Sequence, residues 1–181
     1  MYWRTQFDML ECCGCEEVIL RRTISGSEDP DPSTTFYPPE AARWSPKWKY
    51  SLPPLIRIFL EEIYTALQAD SRCLAMLGAR TVIETAMISK VGDQGTFAQN
   101  LQALEKAGYV SKTNLKYLEV ALDAGSATAH RAHRPTTEQL DTVMDIVENL
   151  LHSLFVLEKP SARLKASIPA RPARVPKGEK R

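Results

Sequence analysis

Residues 73–88 read CLAMLGARTVIETAMI, and almost every side of a helix drawn through them is apolar. A helix of that kind sits in the middle of a helical assembly rather than on its surface. Ser71 precedes it as a capping residue and Gly92 stops it after Val91, so the spacing predicts a central helix over about 71–91. On its N-terminal side the same 3.6-residue period begins at Pro53 and Pro54. There Leu55, Ile56, Phe59, Leu60, Ile63 and Leu67 make one apolar face. On its C-terminal side Thr96 and Gln99 have the spacing of a capping box for a third helix ending at Gly108. Ser111 opens a fourth, with Leu115, Leu118 and Leu122 inward. Thr136 and Gln139 form a second capping box, opening a fifth helix with the stripe Leu140, Val143, Val147, Leu150, Leu151 and Leu154. Loops of a few residues join these runs, so the expected fold is mainly α, an antiparallel five-helix bundle over residues 53–159.

Upstream the period changes. In residues 1–24, Trp3, Thr5, Phe7 and Met9 alternate on one parity, and Val18, Leu20 and Arg22 do so on the return, which predicts a β-hairpin turning at Cys12-Cys13-Gly14-Cys15. Residues 25–52 carry a high density of proline, which argues against regular structure. Phe36, Tyr37, Trp44, Trp48 and Tyr50 are interleaved with those prolines, so the segment is expected to lie extended on the bundle with its rings held in grooves. Residues 160–181 hold seven Lys or Arg against one acid and four Pro, which reads as a disordered basic tail that the fold can dispense with. It is expected to serve as a solvated, solubilising tail, the other reading being contact of its charge with RNA, DNA or an acidic partner.

Composition narrows the class. The 181 residues are 44% hydrophobic and 25% charged, which is globular chemistry. No apolar run approaches a membrane span and no leader pattern opens the chain, so a cytoplasmic protein is expected. The net charge of +1 conceals a body of about −5 once the tail's +6 is set aside, which disfavours a nucleic-acid-binding surface on the body.

Three groups of residues carry chemistry. Cys12 and Cys15 have the spacing of half a zinc knuckle, and a closed site needs four ligands. With no second pair in view, no cofactor is expected and zinc is expected below one per chain; a site shared between two chains is the other metal arrangement the spacing allows. His130, Arg131, His133 and Arg134 cluster at the end of the fourth helix, where they could hold RNA or another anion. Arg80 and Glu84 stand one turn apart on the apolar helix. There they form either an internal polar network with His130 or a cleft in which Arg80 binds an anion and Glu84 orients His130.

Tyr37-Pro38-Pro39, Leu52-Pro53-Pro54, Glu62-Ile63-Tyr64-x-Ala66-Leu67, Gly78-x-Arg80-x-x-x-Glu84, Gly92-Asp93-x-Gly95-Thr96-Phe97 and Gly125-Ser126-Ala127-x-x-His130-Arg131 occur in this order. Together they resemble the bacterial domain of unknown function 4145 family over about residues 1–158. The family is similar to HEPN helical bundles, found in toxin–antitoxin, restriction and anti-phage loci, some of which are metal-independent ribonucleases acting as dimers through an Arg four to six residues before a His. This chain departs from that motif: no Arg stands there before His130, His133 or His152. The resemblance therefore implies a non-catalytic helical interaction module, homodimeric through its helices, with a protein partner from a defence or mobile-element locus. The alternative is a ribonuclease or RNA-binding protein using Arg80, Glu84, His130 and Arg131.

Overall fold

The structure, a computed structural model, describes residues 2–14, 16–28 and 31–169. Three strands come first: β1 (Trp3–Glu11), β2 (Val18–Gly26) and β3 (Ser33–Tyr37). Helices α1 (Pro54–Gln68), α2 (Arg72–Val91), α3 (Phe97–Lys106), α4 (Lys112–His130), α5 (Thr137–Leu151) and α6 (Glu158–Ser167) follow. Among the described residues no helix is long and apolar enough to cross a membrane.

Helix α2 is the centre of the body, touching α1, α3, α4 and α5. Its Ala75, Met76, Ala79, Val82, Ile83, Ala86 and Met87 are buried, and they meet Leu60 and Leu67 of α1, Leu104 of α3, Leu118 of α4 and Met144 and Val147 of α5 in one core. Small residues set how closely the helices approach. A Cβ on Gly78 would lie 2.7 Å from Cγ1 of Ile63, so α1 and α2 pack almost backbone to side chain there. The α3, α4 and α5 starts match the caps read from sequence: Thr96, Ser111 and Thr136 each accept from a backbone N–H of their first turn, and Thr136 with Gln139 makes the reciprocal box. The apolar face of α1 is rotated from the expected one. Tyr64 is buried and Leu55 is 53% exposed, although Ile56 in the same first turn is fully buried.

The expected hairpin is present and is part of a larger sheet. β1 pairs with β2 antiparallel, Trp3 opposite Gly26 and Glu11 opposite Val18, and β2 pairs with β3, Leu20 opposite Tyr37. The third strand corrects the expectation of irregular chain over 25–52. Pro32, Pro38 and Pro39 flank the run STTFY instead of interrupting it, so its N–H groups remain free to pair. The β1–β2 connection is wider than a tight turn. Cys12 donates to the Glu17 carbonyl at 2.9 Å, and the left-handed residue is Glu16, with φ of 59°, not Gly14. Beside it, Asp8 accepts from Gln6 and from Arg21, and these bonds lower its pKa.

After β3 the chain runs as a strap along the helices. Ala41 is buried, and a 3-10 turn at Lys47–Ser51 lays Trp48 edge-on against His152, with ring centres 5.4 Å apart. His152 is therefore a packing residue. The expectation that all five rings are held in grooves is corrected: only Trp48 is half-buried, while Trp44 is 77% exposed. The boundary drawn at residue 160 also moves. A π-helical turn, His152–Val156, extends α5, and α6 continues in helical conformation to Ser167 with its described side chains exposed. The rest of the expected basic tail, from Ala170, lies outside the described residues.

Candidate functional site

Arg80 is the one cation on the inward side of α2, and its guanidinium is turned toward α4. Nη1 donates to the Leu122 carbonyl at 3.2 Å and to Ser126 Oγ, while the guanidinium carbon stacks 4.0 Å from the centre of the Phe97 ring. Gly125 makes room for the stem: a Cβ there would lie 2.7 Å from Cβ of Arg80 and 3.1 Å from Cδ. An arginine fork satisfied by a carbonyl, a hydroxyl and a ring face needs no counter-charge to stay half-buried. Accordingly, among the described residues Arg80 and Glu84 form no ion pair.

The cluster expected at the end of α4 does not converge. His130 is the last residue of α4 and is exposed, so the inward lean toward α2 and Glu84 is not adopted. The reason lies in where the contact with α2 ends. Gly125 and Ser126 face α2, whereas Ala129 and His130, one turn on, are both exposed, so the last turn of α4 runs past the contact with α2. Arg131 folds back on its own helix, bonding the Asp123 carboxylate at 2.6 Å and the Asp123 carbonyl at 3.2 Å. The chain then reverses at Ala132, whose φ is 52°, and His133 sends its N–H to the Ala127 carbonyl and its ring to Gln139, 3.2 Å away. Arg134 stands apart beside Pro135 and the start of α2, bordering the same hollow as Arg72. Four cationic or imidazole groups thus point in different directions. Of the thiols, Cys12 and Cys13 are exposed, and the expectation for Cys15 falls outside the described residues. Among the described residues no three His, Cys, Asp or Glu side chains gather as a metal site.

Two features escaped the sequence reading. The first is the anchor of the strap. Arg43 Nη1 donates to the Asp141 carbonyl at 2.9 Å, and Nη2 reaches Asp145 at 2.5 Å and Glu148 at 3.4 Å. Tyr64, buried on α1, donates its hydroxyl to the same Glu148 carboxylate at 2.6 Å. Burial, then the Glu148 carboxylate, push the Tyr64 hydroxyl well above the usual phenol range. Burial opposes the charge on Arg43, but the hydrogen bond to Asp145 and the charges of Glu148 and Asp145 outweigh it and raise its pKa.

The second is a groove of about 740 Å³ between the sheet, the strap and the end of α1. Phe36, Tyr37, Pro38, Pro39 and Trp44 line it as rings, and Glu17 and Glu40 border it as carboxylates. The Trp44 ring, though exposed, is held: its indole N–H donates to Glu17 Oε1 at 2.9 Å. Arg43 also borders the groove, but its charge is spent on α5. Exposed rings beside two carboxylates that are in no ion pair among the described residues suit an extended, proline-bearing, basic ligand. Only the spacing of Phe36, Tyr37 and Trp44 among prolines hinted at this groove in the sequence.

Comparison with known families matches residues 61–167, from α1 to the end of α6, to the model of a Domain of unknown function (DUF4145). No curated protein and no solved structure matches the chain.

Proposed function

Since the chain belongs to the DUF4145 family, we propose that it is a non-catalytic, HEPN-like helical interaction module of a bacterial cell. In this reading it is cytoplasmic and homodimeric, and it serves as an accessory to a defence, restriction or toxin–antitoxin system. The observation that carries the reading is the orientation of Arg80. The ribonuclease alternative needs this guanidinium turned to His130, and its Nη1 is instead engaged with Leu122 and Ser126 of α4 while its face lies over the Phe97 ring. A group committed to helix packing is not available to stabilise a developing phosphorane charge. The acidic balance of the body supports the same side of the choice, since a phosphate chain would meet net repulsion there.

The test is metal-free incubation of the purified chain with single-stranded and structured RNA, alongside light scattering. The reading expects intact RNA and a particle of twice the 20.3 kDa chain mass. RNA cleavage that disappears in a His130→Ala variant with unchanged melting would replace it with the ribonuclease reading.

A further inference from the structure

The aromatic, acid-bordered groove has a candidate occupant in this chain's own sequence. Residues 168–177 read IPARPARVPK, with prolines at 169, 172 and 176 and cations at Arg171, Arg174 and Lys177. Residues 170 onward lie outside the described part of the chain. In a polyproline helix of three residues per turn, Pro169 and Pro172 would share one side, and Arg171, Arg174 and Lys177 would share another. Such a strip offers pyrrolidine faces to ring plates and guanidinium groups to carboxylates, which is what Tyr37, Trp44, Glu17 and Glu40 present. The charges are complementary: the segment carries three cations and no acid, while the one cation bordering the groove, Arg43, is already neutralised by Asp145 and Glu148.

Reach decides which copy supplies the segment. The groove adjoins Arg43, which grips α5 at Asp141 and Asp145. From there the chain is helical to Ser167, passing Leu157 with φ of −69° and ψ of −23°. Twenty-two residues put Ser167 up to about 33 Å from Asp145, the span of a straight helix of that length. Helix α6 packs against the π-helical turn that precedes it and against no other element to comparable extent, so it carries the chain off the body. Ten residues of polyproline helix span about 31 Å, so the segment would be exhausted in returning to its own groove, with no length left to lie in it.

We propose that the groove formed by Tyr37, Trp44, Glu17 and Glu40 binds residues 168–177 of a second copy of this chain. Two such exchanges, related by a two-fold axis, would close a homodimer. This deepens the homodimer part of the function proposed above and rests on it, placing the contact in the groove and the tail.

The experiment has two arms. A labelled peptide of residues 166–181 is titrated into the chain truncated after Ser167 and read by anisotropy, and the full and truncated chains are weighed by light scattering. The peptide is expected to bind with at least tenfold loss in Trp44→Ala and several-fold loss in Glu17→Gln, a change that removes the charge but keeps an acceptor for the indole. Raised salt should weaken it in the same way. The full chain is expected to be a dimer and the truncated chain a monomer. A dimer that survives truncation overturns the exchange and leaves the homodimer itself standing. A monomeric full chain whose truncated form still binds the peptide also overturns it, in favour of docking within one chain. A monomeric full chain without peptide binding overturns the exchange and the homodimer together.

Discussion

At Gly125 the α2–α4 contact is set by the absence of a side chain. A methyl there would meet the Arg80 stem at Cβ, which is tied to the α2 backbone and has little freedom to move. Gly125→Ala should gain helix propensity and still lose stability, by about 1–2 kcal/mol net, because overpacking a close contact costs more than the propensity returns. Chemical denaturation of the two proteins measures it. The opposite sign is expected at Ala132, exposed and held at a φ of 52° where L-residues are strained. Ala132→Gly should stabilise the chain by about 0.5–1 kcal/mol, since a glycine adopts that conformation without the Cβ penalty. A lowered denaturation midpoint would show that the turn is not strained. His130 provides the neutral case. With its ring exposed at the end of α4, His130→Ala should change stability by no more than about 0.5 kcal/mol in the same titration. The network once expected around this histidine would instead have cost about 1–3 kcal/mol on losing a member.

Elements join through a few polar contacts that the sequence does not announce. The strap is fastened to α5 by Arg43, whose side chain is 22% exposed, and Tyr64 of α1 shares Glu148 with it. Tyr64→Phe should cost about 1 kcal/mol near neutral pH through loss of that hydrogen bond. The cost has a predictable pH course. The folded pKa of Tyr64 is raised above its unfolded value of 10.0, so the folded state keeps a proton that the unfolded chain gives up. That contribution is complete below about pH 10 and is lost as pH rises beyond it, so the gap between wild type and Tyr64→Phe should narrow between pH 8 and pH 11. A constant gap would mean that Tyr64 ionises alike in both states. What could be read without coordinates is the local part: the periods of α1 to α5, the caps at Thr96, Ser111 and Thr136, and the β1–β2 pairing, each coded within a few residues. The missing part is what depends on partners far along the chain. Arg43 meets Asp141 and Asp145 across about a hundred residues, Trp48 meets His152, and the direction of Arg80 is decided by a glycine on another helix. Proline density also misled locally, since the prolines bracket β3 without entering it. The site was least legible of all, because the residue types at 130–134 suggest convergence and only the end of the α2–α4 contact and the turn at Ala132 separate them.

On the scale of the molecule, burial is concentrated in one half. Among the described residues every buried hydrophobic lies at Ala41 or beyond, and the sheet contributes none, with Trp3, Phe7 and Met9 of β1 all more than half exposed. The strands are therefore held by their own ladder bonds and by a few anchors such as Trp44 with Glu17. A three-stranded sheet with so little apolar cover opens at a small fraction of the cost of opening the helical core. Hydrogen exchange on the intact protein should then separate two populations. Amides of α2 and the inner turns of α1 and α5 should exchange only through global unfolding, with the same denaturant dependence as the main transition. Amides of β1, β2 and β3 should exchange at least a hundredfold faster than those of α2, through an opening that exposes little surface and barely responds to denaturant. Equal protection in sheet and helices would contradict this, and would mean that the sheet folds as part of the core despite contributing nothing to it. The same division explains how a chain can hold a rigid helical centre while leaving its aromatic groove, part of whose wall is sheet, able to adjust around what it binds. A ligand seated there would bind only the closed sheet and would slow its exchange by the factor one plus the ratio of free ligand to dissociation constant.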